Sequence, residues 1–268
     1  MADELVFAAY LLTGAIAGLA AGLLGVGGGL IIVPALVGLY LIQHIDSALV
    51  MHLALGTSLA SIIITSLSSV YAHHRHRAVL WHRFWQLTPG LLFGAWLGGW
   101  LADVMSTAQL KPLFAGFELV VAAYMLSSLH FNSGKRHLPN PLAISGAGVV
   151  IGGISSLAGV GGGTMTVPYL NWHGVHLRQA IATSAACGLP IALAGTLSYI
   201  LHGWTQPNLP AWSLGYVHGP SLLGIVISSV LFAPLGAKLA HSLPVPTIRR
   251  VFALLLVGIA LRLLFSEF

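Results

Sequence analysis

The chain has 268 residues, 57% of them hydrophobic and 6% charged, with 11 Lys and Arg against 6 Asp and Glu and a formal net charge of +5. Soluble domains carry about 25% charged residues. A chain this poor in charge cannot coat a folded surface in water, which excludes a soluble enzyme, a nucleic-acid-binding protein and a disordered chain. What remains is a polytopic membrane protein, and because its apolar runs are long and continuous, the spans are helices rather than barrel strands.

In chain order the apolar segments fall at about 5–24, 30–42, 47–72, 84–102, 109–131, 141–158, 163–172, 178–201, 214–240 and 247–266. The start, Met-Ala-Asp-Glu, is acidic and lacks the basic opening of a signal peptide, so the first run is expected to stay as a span. The single cysteine, Cys187, excludes an internal disulfide. The longest polar break runs from Asn132 to Asn140, and Pro141 suits the first turn of a following helix. It divides the chain into a first membrane repeat (1–131), a cytoplasmic linker (132–140) and a second membrane repeat (141–268).

The halves are related. Residues 25–34 read GVGGGLIIVP and residues 159–168 read GVGGGTMTVP, an offset of 134. Thr57-Ser58 and Thr183-Ser184 follow within similar stretches at an offset of 126. Leu101-Ala102 matches Leu239-Ala240, and Leu113-Phe114-Ala115 matches Val251-Phe252-Ala253, at an offset of 138. Ordered matches of this kind are typical of secondary transporters.

Residues 5–42 set the relative orientation. As one helix they would extend about 57 Å, against a hydrocarbon core of ~30 Å. The chain must turn back, and the glycines at 25–29 are the place to do so. A re-entrant hairpin followed by three crossings gives each half an odd number of crossings, so the second half is inverted. The distribution of basic residues agrees: with both termini outside, Arg75, Arg77, Arg83, Lys135, Arg136, Arg178, Lys238, Arg249 and Arg250 fall in the cytoplasm, leaving Lys111 and Arg262. The expected fold class is all-α, with two inverted repeats of about five helical segments, each opened by a broken hairpin.

Each glycine run (Gly25, Gly27, Gly28 and Gly29; Gly159, Gly161, Gly162 and Gly163) precedes a short apolar segment. The free N–H groups of a helix N-terminus attract anions, and glycine lets a ligand approach the backbone. Two such starts meeting near the midplane would hold a small anion without a charged side chain. The competing reading is that the glycines serve close helix packing. No Gly-Lys-Ser/Thr follows them and no strand precedes them, so nucleotide-binding readings fail. The hydroxyls of Thr57, Ser58, Thr183 and Ser184 can donate to an anion or bond to neighbouring backbone. Thr164 and Thr166 stand where the first half has Leu30 and Ile32, so the halves differ chemically there.

The doubled Gly-Val-Gly-Gly-Gly with Pro34 and Pro168 five residues on, each followed by an Ala-x-x-Thr-Ser stretch, resembles the TauE/SafE sulfite-exporter family over nearly the whole chain. The resemblance implies an inner-membrane transporter of sulfur-containing anions: sulfite, thiosulfate, sulfonates or sulfoacetate-like organic acids. It carries the glycine runs, Pro34, Pro168 and the two Thr-Ser pairs as functional positions, and it leaves the 13 histidines unexplained.

Further candidates come from single residues. Cys187 lies one turn beyond Thr183, on its face of the helix, where a thiol can contact the substrate or simply fill space. Glu118 is the one acid deep in an expected span, open to proton coupling or to pairing with Arg262 at a similar depth. His52 and Arg178 are repeat-related and would lie at opposite mouths, drawing anions or marking the interface. Lys111 and Arg249 suit snorkelling. His73, His74 and His76, with Arg75 and Arg77, form a basic loop suited to anionic lipid or, less readily, to metal. Trp81, Trp85, Trp204 and Trp212 fit interfacial belts.

The sequence therefore points to a carrier of a small anion embedded in the lipid bilayer, with no catalytic residues, no cofactor, no resident metal and no nucleic-acid partner. Gly-loop amides and Thr/Ser hydroxyls bind the anion, and Pro34 and Pro168 shape the gates. A metal-cation permease, suggested by the histidines, and an intramembrane enzyme are the alternatives.

Overall fold

A computed structural model describes residues 3–24, 28–75, 77–127, 139–242 and 245–265. The helices are α1 (Asp3–Leu24), α2 (Gly29–Ile42), α3 (Val50–Arg75), α4 (Trp81–Val104), α5 (Thr107–Leu126), α6 (Pro141–Leu157), α7 (Gly163–Trp172), α8 (Leu177–Gly203), α9 (Gly219–Ser242) and α10 (Val245–Phe265). A two-stranded hairpin, β1 (Ser213–Leu214) and β2 (Val217–His218), lies between α8 and α9. Among the described residues five helical stretches are long and apolar enough to cross a membrane: Glu4–Leu23, Val50–Arg75, Thr107–Leu126, Leu177–Gly203 and Gly219–Gly236. The chain is a helical, multi-pass membrane protein.

Local sequence sets the helix starts. Asn140 caps α6 by accepting the Ala143 N–H at 2.8 Å, with Pro141 at the first position, where its missing N–H costs nothing. Residues 132–138 of the expected linker lie outside the described residues. Ser106 and Gln109 form a capping box that opens α5. The apolar run from 214 does not start a helix at once. Gly215 takes φ +54 and turns the chain, and the buried Tyr216 wedges between α3 and α8, so α9 begins only at Gly219.

α3 and α8 form the centre and run antiparallel. Gly56 lies against Tyr199, Gly195 against Leu59, and Gly188 against Ser66. α1 packs along α9, and α4 packs along α6. α2 rests on α3 and α7 on α8, while α5 and α10 pack together. The main contacts between halves therefore come in exchanged pairs: α1 on α9 answers α6 on α4, and α3 on α9 answers α8 on α4. α1 and α2 meet twice: Gly28 approaches Ala17, and the Gln43 amide donates to the Tyr10 hydroxyl at 2.7 Å.

Much of the glycine excess lies along the exchanged pairs. A methyl at Gly14 would collide with Ile225 and Ser228 of α9, one at Gly18 with Ser229, and one at Gly90 or Gly94 with Ser145 or Val149 of α6. Gly148 and Gly152, the counterparts of Gly14 and Gly18 at the 134-residue offset, face Leu87 and Leu91 in the same way. These crossings are tight because no side chain separates the backbones. Gly94→Ala should therefore lower thermal stability in detergent, at an overpacking cost of about 1–3 kcal/mol. Gly116→Ala, whose added methyl meets nothing within 4 Å, should leave it unchanged or higher.

Candidate functional site

The second glycine run forms a closed turn between α6 and α7. Gly159, at φ +58, ends α6 in a Schellman motif: its N–H reaches the Ser156 carbonyl at 3.1 Å, and the Val160 N–H reaches that of Ser155 at 2.9 Å. Gly162 caps α7, its carbonyl accepting the Thr166 N–H at 2.9 Å. The amides of Gly163, Thr164 and Met165 in the first turn have no place in the helix's own ladder. Gly28 plays the same part for α2, accepting the Ile31 and Ile32 amides at 3.0 Å. Gly25 and Gly27 lie outside the described residues.

The two helix starts converge between α3 and α8. A methyl on Gly29 would strike the Gly159 carbonyl and lie 3.0 Å from the Val160 Cα. On the α3 side Ser58 donates to the Gly159 carbonyl at 2.7 Å, and Gly161 faces Ile62. On the α8 side a methyl on Gly162 would lie 3.0 Å from the Ser184 carbonyl oxygen and 3.1 Å from the Gly188 nitrogen. Glycine is needed here for close approach of backbone to backbone.

The Thr-Ser pairs divide their work. Thr57 accepts the His218 N–H at 3.0 Å, and Thr183 accepts the Leu80 N–H at 3.0 Å. His218 and Leu80 are repeat-related and immediately precede α9 and α4, so each threonine fastens the start of a helix in the other half. Ser58 is committed to Gly159, whereas the buried Ser184 hydroxyl has no partner among the described residues. The counterpart of the Ser58–Gly159 bond would involve Gly25.

Ser184 belongs to a group. Ser155 and Ser156, just before the turn, and Thr164 and Thr166, just after it, are also buried hydroxyls without a hydrogen-bond partner among the described residues. Thr164, the most accessible of the five, is 9% exposed. The corresponding first-half residues are Ala21, Gly22, Leu30 and Ile32, none with a hydroxyl. Buried polar groups are nearly always bonded, so five such hydroxyls on the helices that flank the turn and on α8 stand out, with that of Ser156 facing Gly195 of α8. Ser155 and Ser156 escape a motif-based reading because they precede the glycine run. Comparison with Ala21-Gly22 at the same offset is the signal that finds them.

Other candidates are dispersed. Cys187 is buried in the core, its backbone against Gly162. Pro34 and Pro168 sit six positions into α2 and α7, leaving the Leu30 and Thr164 carbonyls without a helical donor. Glu118 does not pair with Arg262: both carboxyl oxygens are buried without a partner among the described residues, and Arg262 is exposed on α10. His52 is buried, its Nε2 3.0 Å from the Ala102 and Met105 carbonyls that close α4. Arg178 is exposed in the first turn of α8. The Trp81 indole donates to His74, and His76 lies outside the described residues. A polar cluster not evident from sequence joins Tyr40, Thr57, His218 and Ser221, with Tyr40 donating to Ser221 at 3.1 Å.

The match to known proteins is decided by its extent. The family model for the sulfite exporter TauE/SafE matches residues 10–263. The chain belongs to the TauE/SafE family. A probable membrane transporter protein of Haemophilus influenzae is 38% identical over 253 residues, covering 94% of this chain and 96% of the relative. One from Methanocaldococcus jannaschii is 28% identical, covering 85% and 84%. YunE of Bacillus subtilis, also a probable membrane transporter protein, is 23% identical, covering 97% and 98%. No solved structure matches. The family and these names mark transport, not catalysis.

Two outcomes follow from this geometry. Thr57→Val and Thr183→Val should each lower stability by about 1 kcal/mol, the value of a lost helix cap, while Thr→Ser at either position retains it. Thermal unfolding in detergent reads both. Burial pushes the His218 imidazole down to about 4 from 6.5, so the fold holds it neutral. The unfolded chain takes up that proton first, and stability should fall as pH drops from 6.5 towards 4. His218→Gln should flatten that part of the pH profile.

Proposed function

We propose that this protein carries a small sulfur-containing anion (sulfite, thiosulfate, a sulfonate or a sulfoacetate-like acid) across the cell's inner membrane, and that the anion binds at the glycine turn between α6 and α7. The observation that carries this reading is the set of five buried hydroxyls, Ser155, Ser156, Thr164, Thr166 and Ser184, on α6, α7 and α8, without a hydrogen-bond partner among the described residues. Hydroxyl donors and the free amides of a helix start together suit a compact oxyanion, and no fixed cation is required. Family membership directs the choice among oxyanions to those of sulfur.

The two halves are inverted repeats about an axis in the membrane plane, and α1–α2 and α6–α7 are re-entrant hairpins. The antiparallel packing of the related helices α3 and α8, the exchanged pairs α1–α9 and α4–α6, and the Tyr10–Gln43 bond that returns α2 to α1 all support this arrangement. Both termini then face outward. The buried site belongs to a closed state, and exchange with either side requires the α7 start to part from α8 or the α2 start to part from the Gly159 turn.

Purified protein in liposomes should take up labelled sulfite or thiosulfate. Thr164→Val and Ser184→Ala should each weaken anion binding about tenfold, the loss of one hydrogen bond of ~1.4 kcal/mol, with stability held. Wild-type protein that neither binds nor moves any of the four anions, or variants with undiminished affinity, would overturn the reading.

A further inference from the structure

Glu118 has no part in the anion site, yet it is a buried acid inside a membrane span, where an ionised carboxylate is costly. It is 0% exposed, eleven residues into the 20-residue span α5, on the buried stripe of Leu110, Phe114, Ala115, Val121 and Ala122. Both carboxyl oxygens lack a hydrogen-bond partner among the described residues. An ionised carboxylate in such surroundings needs a cation or a cluster of donors, whereas a protonated one needs neither.

Among the described residues the neighbouring elements place no cation against Glu118. α5 packs on α10 and on α3. On α10 the chargeable residues are Arg249, Arg250 and Arg262. Arg250 and Arg262 are exposed, and the Arg249 side chain lies outside the described residues. On α3, His52 is held by the carbonyls that end α4, and Tyr71, His73, His74 and Arg75 occupy the opposite end. On α5 itself Lys111 lies two turns away towards the helix start and Tyr124 is exposed. The repeat counterpart of Glu118 is Leu256, so the acid is a property of one half alone and no demand of the shared architecture.

We infer that Glu118 is the proton-binding site that couples transport to the pH gradient: it carries a proton in this closed state and releases it when the helices separate and water reaches α5. The linkage is physical. α3, which holds the glycine turn through Ser58, also packs against α5, so a movement of α3 that opens the anion site is passed to the helix that carries Glu118. A proton bound in one conformation and lost in the other biases the equilibrium between them. The inference rests on the transport reading above but not on which anion is carried.

The test uses proteoliposomes loaded with sulfite or thiosulfate. In wild-type protein a gradient of one pH unit should drive accumulation, up to about tenfold for one proton per anion. Glu118→Gln should abolish that drive while labelled-anion exchange at equal pH persists, and Glu118→Asp should restore it in part. Gradient-driven accumulation surviving in Glu118→Gln, or wild-type exchange indifferent to the gradient, would overturn the inference. If wild-type protein exchanges no sulfur anion, the substrate reading fails and infrared difference spectroscopy decides for Glu118. A protonated-carboxyl C=O band at neutral pH, lost in Glu118→Gln, is expected, and its absence from wild-type protein would refute the proton site.

Discussion

A helix that begins inside a protein must do something with its first N–H groups. At a soluble surface water takes them, but the first turn of α2 is buried and that of α7 is partly so, with Thr164 and Thr166 buried. The fold deals with this by bringing the two starts together and removing every side chain that would hold them apart. Gly29 meets Gly159, Gly162 meets the α8 backbone, and Ser58 ties the turn to α3. The same constraint makes the place useful, because amides and hydroxyls shielded from water interact strongly with a ligand that can reach them.

The rest of the architecture keeps these starts in place by exchange between halves. α1 lies on α9 and α6 on α4, so neither half encloses its own hairpin. Thr57 and Thr183 repeat the exchange at the level of one hydrogen bond, each fastening the residue just before a helix that belongs to the other half. Symmetry then stops at the chemistry. The first half spends its hydroxyls on structure and lines its helix start with Leu30 and Ile32. In the second half Ser155, Ser156, Thr164, Thr166 and Ser184 have no hydrogen-bond partner among the described residues.

Periodic and repeated features were legible before any coordinates. α2 and α7 begin within a residue of the apolar runs at 30–42 and 163–172, and the glycine runs mark their starts. Partnerships between distant residues were not legible. Thr57 and Thr183 look like ligand donors in sequence, because nothing local shows that His218 and Leu80 will arrive beside them. Glu118 and Arg262 look like a pair because depth along a helix is readable and direction around it is not. The β1–β2 hairpin is hidden within an apolar run because its turn depends on Gly215 and on the slot that receives Tyr216. Ser155 and Ser156 resemble ordinary helix residues until the turn that follows them is seen to close against α3 and α8.

The central claim is that the exchanged halves are inverted in the membrane, so that the α2 and α7 starts enter it from opposite sides. Arg77 and Trp212 lie in repeat-related connections, before α4 and before α9, and both are exposed. The direct measurement is labelling of Arg77→Cys and Trp212→Cys, each in a Cys187→Ser background, with a membrane-impermeant thiol reagent applied to intact cells and to inverted vesicles. The account predicts that Trp212→Cys reacts only from outside and Arg77→Cys only from the cytoplasmic side. Labelling of both positions from the same side would contradict it.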